Sequence, residues 1–178
     1  TRIKLCQFEY LEAAYEASFI GADALGFHCL SAADADWYSK AKALKSIVSI
    51  LPHTIEKVLL CDFSYDVVTS ILDIADFDSI QLYPDWDPAD IERLKAERGG
   101  RLRVVKVMSA QERENDPSDP VAFLNRYSGA ADAFLLDSHR AGGTGILADV
   151  AYCAEVVRNS AIPVIIAGGL TPDNVGER

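Results

Sequence analysis

Ile162-Pro163-Val164-Ile165-Ile166-Ala167-Gly168-Gly169-Leu170-Thr171-Pro172-Asp173-Asn174-Val175 decides the fold: an apolar strand runs into two glycines and then into a helix start. Adjacent glycines let backbone N–H groups approach an anion closely. Thr171-Pro172 supplies an N-cap and a proline at the first helical position, so the dipole of the following turn points at a ligand. The device occurs a second time, where Phe134-Leu135-Leu136-Asp137 is followed by Gly142-Gly143-Thr144-Gly145. Gly142, Gly143, Gly145, Gly168 and Gly169 are therefore the expected phosphate-binding positions. Asp137, the carboxylate at a strand end beside them, is the first catalytic candidate.

Outward from that stretch, short apolar runs alternate with helical patterns. Strands are expected at Ile3 to Cys6, Ala24 to Cys29, Lys57 to Asp62, Ser79 to Tyr83, Leu102 to Met108, Ala133 to Asp137 and Pro163 to Ala167. Helices are expected at Tyr10 to Ile20, Ser39 to Leu51, Tyr65 to Ile74, Pro88 to Arg98, Asp119 to Tyr127 and Leu147 to Asn159. The charged stretch Ser109 to Ser118 reads as a loop. Such alternation implies parallel strands joined by right-handed crossovers. A doubly wound sheet would carry its glycine-rich loop after the first strand, but Leu5-Cys6-Gln7-Phe8 has no glycine there. Late glycine pairs instead favour an α/β fold of the (β/α)8 TIM barrel type, whose phosphate sites form from late loops. Only seven βα units are present, so the expectation is a single barrel domain over residues 1–178 whose eighth unit lies outside this sequence.

Composition narrows the function. The 178 residues are 49% apolar and 25% charged, ordinary for a globular protein, and are enough for a continuous core. A net charge of −10 argues against nucleic-acid and anionic-membrane partners. The cysteines Cys6, Cys29, Cys61 and Cys153 form no CxxC pair and no metal-ligand spacing with the three histidines, so no metal or other cofactor is expected and a reducing compartment fits. Without a membrane-length apolar run or a signal-peptide layout, the expected location is cytoplasmic.

Ile3-Lys4-Leu5-Cys6, Gly21-Ala22-Asp23-Ala24-Leu25-Gly26-Phe27, Ile80-Gln81-Leu82, Val105-Lys106, Leu135-Leu136-Asp137-Ser138, the Gly142 to Gly145 run and Ala167 to Val175 follow one another in a characteristic order. In that order and spacing the chain resembles the phosphoribosylanthranilate isomerases. The resemblance implies a (β/α)8 fold and an Amadori rearrangement, in which a phosphoribosylated amine opens its ring and becomes an aminodeoxyribulose phosphate. It implies Cys6 as general base and Asp137 as general acid, a phosphorylated sugar as the small-molecule partner, and a monomer or homodimer in tryptophan biosynthesis.

The residue types suit that chemistry. Ring opening needs a proton delivered to the furanose oxygen, which a carboxylic acid at an apolar strand end can supply, and a thiolate can take the proton from C2. Strand parity places Lys4 and Cys6 on one face with Leu5 opposite, and Leu135 and Asp137 together at another strand end. Taken singly, Cys6 is as well explained as a small core residue and Asp137 as a cap; their joint placement favours catalysis. Lys4 and Lys106 are expected inside the barrel, either ion-paired with a carboxylate or catalytic. His28 falls on the inner face with Ala24 and Gly26, and either tunes or replaces the Cys6 base or fills the inner layer.

Departures from the family pattern cluster on the side away from the phosphate. After the second strand the family carries an arginine that grips the anthranilate carboxylate, whereas Leu30 to Ser39 offers no cation and Asp36 falls nearest that position. Losing that contact and adding a like charge costs about 2–5 kcal/mol in a desolvated site. Gln7 stands where a glycine is expected, and Tyr83-Pro84 where histidine-glycine is expected after Gln81-Leu82. His28, Asp36, Gln81, Tyr83 and Arg140 are the expected substrate-binding residues, with Arg140 a replacement cation and Trp37, Tyr38, Tyr83 and Trp86 as aromatic lining. The alternatives are a divergent enzyme acting on a non-carboxylated amine and a non-catalytic phosphosugar binder.

Overall fold

The computed structural model describes residues 2–109, 120–137, 149–171 and 173. Strands and helices alternate along it: β1 (Lys4–Cys6), α1 (Leu11–Phe19), β2 (Ala24–Cys29), α2 (Trp37–Val48), β3 (Glu56–Cys61), α3 (Tyr65–Ile74), β4 (Ser79–Leu82), α4 (Pro88–Glu97), β5 (Arg103–Ser109), α5 (Pro120–Tyr127), β6 (Ala133–Asp137), α6 (Val150–Asn159) and β7 (Val164–Ala167). Every expected strand and helix forms, with ends moved by a few residues. The largest part of the shift at α2 has a clear cause: Asp36 accepts the Ser39 N–H at 3.1 Å and starts the helix at Trp37. Among the described residues, no helix is long and apolar enough to cross a membrane. The expected loop at 109–118 lies outside the described residues apart from Ser109, which ends β5. The chain divides into two compact units, residues 1–104 and 105–178.

In the first unit β1, β2, β3 and β4 pair in chain order, all parallel. Leu25, Phe27, Cys29, Leu59, Cys61, Ile80 and Leu82 alternate onto one face and are wholly buried. Fully burying each large member of that set is worth about 1.5–3 kcal/mol. The opposite face carries Lys4 and Cys6, Ala24, Gly26 and His28, Val58 and Leu60, then Gln81, as their register partners require. Ala24, Val58 and Leu60 form a small apolar floor on that face, with Tyr83 packed against it.

The amino-terminal ends of these strands are pinned by acids. Asp23, just before β2, accepts the Ile3 N–H at 2.7 Å and returns its own N–H to the Ile3 carbonyl at 2.9 Å. Asp78, just before β4, repeats the arrangement on Lys57, with bonds of 2.8 and 3.0 Å. Glu56 gathers three partners at the same end: Arg2 at 2.9 Å, Arg103 at 3.1 Å and the Ser79 hydroxyl at 2.8 Å.

In the second unit β6 pairs in parallel with β5 on one side and β7 on the other. Asp137 stands opposite Ser109 and Ala167 and is 6% exposed. The interior position expected for Lys106 beside such residues does not hold. Register sets Lys106 opposite Phe134, on the face turned to α5, while Val107 stands opposite Leu135. Its ammonium lies 5.3 and 5.2 Å from the ring centroids of Phe123 and Tyr127 and donates to the Val107 carbonyl at 3.1 Å. Phe134 touches the same Phe123 ring, at 5.9 Å. A fully buried cation thus lies against ring faces, which suit it once water is excluded.

Glu56→Gln keeps the shape of the acid but removes the charge that two guanidinium groups share. The expected result is a loss of about 1–2 kcal/mol, measured as a lower urea midpoint with an unchanged slope.

Candidate active site

The carboxyl ends of β1 and β2 carry the first cluster. Cys6 ends β1 and is exposed, with its thiol lying over Gly26, its register partner. A Cβ at position 26 would stand 2.7 Å from the Cys6 Sγ and 2.9 Å from Leu60 Cδ1, so only glycine leaves the thiol where it is. The other strand cysteines are unlike it. Cys29 and Cys61 are buried register partners on the opposite face, and burial pushes the Cys29 thiol up to about 12 and the Cys61 thiol higher still. They stay neutral thiols, whereas Cys6 faces water.

On the face that carries Cys6, Lys4 donates a hydrogen bond to Gln81 Oε1, and Gln81 Nε2 donates to the Tyr83 hydroxyl at 2.9 Å. Three residues from β1, β4 and the turn after it are thereby linked in one line across the sheet. The tyrosine that replaces the expected histidine takes up that amide.

Gln7 follows Cys6 with φ of 71°, the one non-glycine residue with positive φ among the described residues. The sequence has lost the expected glycine there, but the backbone still turns as a glycine would. That turn brings Phe8, whose N–H reaches the Gly26 carbonyl at 3.4 Å, over the end of β2. A cleft of about 310 Å³ opens beside it, lined by Gln7, Phe8, Glu9, His28 and Lys40.

Lys40 is the residue that reading the sequence missed. With α2 starting at Trp37, it falls on the first turn, and helical side chains lean back toward the amino terminus, here toward the end of β2. Lys40 lies one residue beyond the cation-free stretch Leu30 to Ser39. Lys40 pairs with Asp34 at 3.5 Å. His28 is held below its usual value, first by burial and then by the Lys40 and Lys4 ammonium groups.

Other expected site residues are placed differently. Asp36 is a fully exposed helix cap, and its bonds to Ser39 hold its carboxyl below the usual range. Tyr38 lies against the Lys42 ammonium at 4.2 Å, and Trp86 against the Tyr65 ring at 5.4 Å, so neither aromatic is spent on the cleft as the lining reading expected. In the second unit Asp137 and Gly168 stand at the carboxyl ends of adjacent strands. Gly168 and Gly169 adopt φ of 88° and 64°, left-handed values that favour glycine. Arg140, Gly142, Gly143 and Gly145 lie outside the described residues.

The fold class is the (β/α)8 barrel, with seven strands among the described residues. A solved phosphoribosylanthranilate isomerase from Thermus thermophilus superposes with a TM-score of 0.78 at 25% identity, over 99% of this chain and 81% of its own. The family model for N-(5'-phosphoribosyl)anthranilate isomerase matches residues 3–178. The N-(5'-phosphoribosyl)anthranilate isomerase of Trichodesmium erythraeum is 30% identical over 178 residues, covering 98% of this chain and 74% of the relative. A further solved isomerase, 16% identical with a TM-score of 0.56 over 97% of this chain and 89% of its own, is a complex with reduced 1-(o-carboxyphenylamino)-1-deoxyribulose 5-phosphate. The chain belongs to the phosphoribosylanthranilate isomerase family, whose members are isomerases.

Two outcomes follow from this geometry. Gln7→Gly relieves a left-handed residue whose strain is about 1–2 kcal/mol, against roughly 0.5–1 kcal/mol of added chain entropy. The expected net gain is about 0.5–1 kcal/mol, seen as a higher denaturant midpoint. His28, held below its usual value in the folded chain, gives a pH signature. As pH falls through 6.5 the unfolded chain binds the proton first, so the stability present above that pH declines toward the lower folded value. His28→Gln is expected to flatten the slope of stability against pH in that window.

Proposed function

We propose that this chain catalyses the Amadori rearrangement of phosphoribosylanthranilate to the corresponding aminodeoxyribulose phosphate, a step of tryptophan biosynthesis. Cys6 is the general base and Asp137 the general acid. The acid delivers its proton to the furanose oxygen as the C1–O bond breaks, leaving C1 bound to nitrogen as an iminium. The base then removes the proton from C2, giving an enolamine that tautomerises to the ketone. Each proton transfer by a placed group is worth about 10²- to 10⁴-fold.

The observation that carries the assignment of Cys6 is its thiol, seated over Gly26 in the open end of the sheet, while Cys29 and Cys61 are locked away as neutral thiols. Asp137 is supported by its place at the carboxyl end of β6 beside the Gly168 turn. The phosphate reading rests on Gly168 and Gly169, with Gly142, Gly143 and Gly145 as further donors. His28, Gln81 and Tyr83 border the substrate, and Gln81 holds Lys4 on the face that presents the base. Asp36 acts on the site through the helix it caps. The working partner is a small phosphorylated sugar substrate.

The test is turnover of freshly generated phosphoribosylanthranilate, followed by loss of its fluorescence. Cys6→Ala and Asp137→Asn are each expected to lower kcat by about 10²- to 10⁴-fold while the reduced product analogue still binds. Turnover retained in Cys6→Ala would remove the thiol from the mechanism.

A further inference from the structure

Lys40, which lines the cleft at the ends of β1 and β2, and Asp34, paired with it, are a cation and an anion that the proton transfers leave unused. Lys40 Nζ lies 3.5 Å from Asp34 Oδ1, the two side chains being 22% and 14% exposed. Asp34 is anchored independently, because its other oxygen accepts the Leu30 N–H at 2.9 Å. An ammonium carries three protons, and a single oxygen at 3.5 Å does not saturate it. The same ammonium borders the cleft with Phe8 and His28. Phe8 adds an aromatic side chain to the lining, and a cleft of about 310 Å³ sits at the small end of ligand sites, right for a single ring. The opposing charges nearby are Asp34 itself and Glu9 on the rim.

We propose that Lys40 reads the carboxylate of an aryl-carboxylate substrate in this cleft, and that Asp34 sets the affinity by competing for the same ammonium. The inference rests on the functional reading above and deepens it. Binding is an exchange of partners. The substrate carboxylate moves in beside Lys40, and Asp34 gives up the long ion pair while keeping its bond to the Leu30 N–H. A lysine limited in this way grips a carboxylate less firmly than a bidentate arginine would, and releases it more readily.

Competition makes a prediction that simple ion-pair scaffolding does not, namely that removing the two partners acts in opposite directions. The probes are reduced 1-(o-carboxyphenylamino)-1-deoxyribulose 5-phosphate and its phenylamino counterpart lacking the carboxylate, each titrated calorimetrically into the full chain. The unsubstituted protein is expected to prefer the carboxylated probe. Lys40→Met weakens that probe by on the order of 10- to 100-fold and leaves its counterpart unchanged, and Lys40→Arg restores the preference. Asp34→Asn, which keeps an acceptor for Leu30, tightens the carboxylated probe. Lys40→Gln repeats the measurement if the methionine variant misfolds.

Equal affinity of the unsubstituted protein for both probes overturns the proposal, as does weakening of the carboxylated probe in Asp34→Asn. The readout is equilibrium binding, so the two claims fail separately. Carboxylate-dependent binding without turnover of phosphoribosylanthranilate would sink the isomerase reading and leave Lys40 assigned. Turnover with unchanged binding in Lys40→Met would do the reverse.

Discussion

The contact between the Cys6 thiol and the bare Cα of Gly26 is the constraint on which the reactive end of this protein depends. Parallel register brings the two residues side by side, and the missing methyl at position 26 leaves room for sulfur. Everything nearby follows from that register. Lys4 and Gln81 share the face with Cys6, His28 stands one pleat beyond Gly26, and the large apolar residues fall on the other side as a continuous buried layer. A slip of one residue in β2 would put Phe27 where Gly26 stands and send the wholly buried set to the wrong face.

Charge is sorted along the strands in the first unit. At the amino-terminal ends, Asp23, Asp78 and Glu56 are committed to backbone N–H groups, guanidinium groups and a hydroxyl, which is a stabilising role. At the carboxyl ends the polar groups line a cleft and are only partly engaged with one another. The division matches the general rule for barrels of parallel strands, where chemistry collects at the carboxyl ends and conserves stability at the other. It also explains how the loops after β1, β2 and β4 have diverged from the family pattern without loss of the fold, since none of the pinning acids lies in them.

Much of this was legible from the order of residues. The alternation of Leu25, Phe27 and Cys29 with Ala24, Gly26 and His28 in β2 made the parity of Gly26 and His28 readable, whereas β3 is a continuous apolar run, and glycine pairs after β6 and β7 pointed to the barrel. Two features were not legible. The start of α2 turns on a capping bond from Asp36 to Ser39, and a helix read as starting two residues later leaves Lys40 out of account. Lys106 was misplaced because a lysine in a strand looks like a barrel-interior charge, and only the register to Phe134 together with the rings of α5 reveals its face. Gln7 is a third kind of case. Its side chain departs from the family pattern, yet its φ preserves the turn, a fact that residue identity alone conceals.

The paired bonds of Asp23 to Ile3 and of Asp78 to Lys57 have a consequence for how the chain finds its fold. Each spans only 20 or 21 residues, the length of one βα repeat, and each fixes the offset between two neighbouring strands as soon as the intervening helix docks. Closing a loop that short costs little chain entropy, and contacts between residues close in sequence form early. The register of β1 on β2 and of β3 on β4 is therefore specified within one repeat, without a contact from elsewhere in the chain.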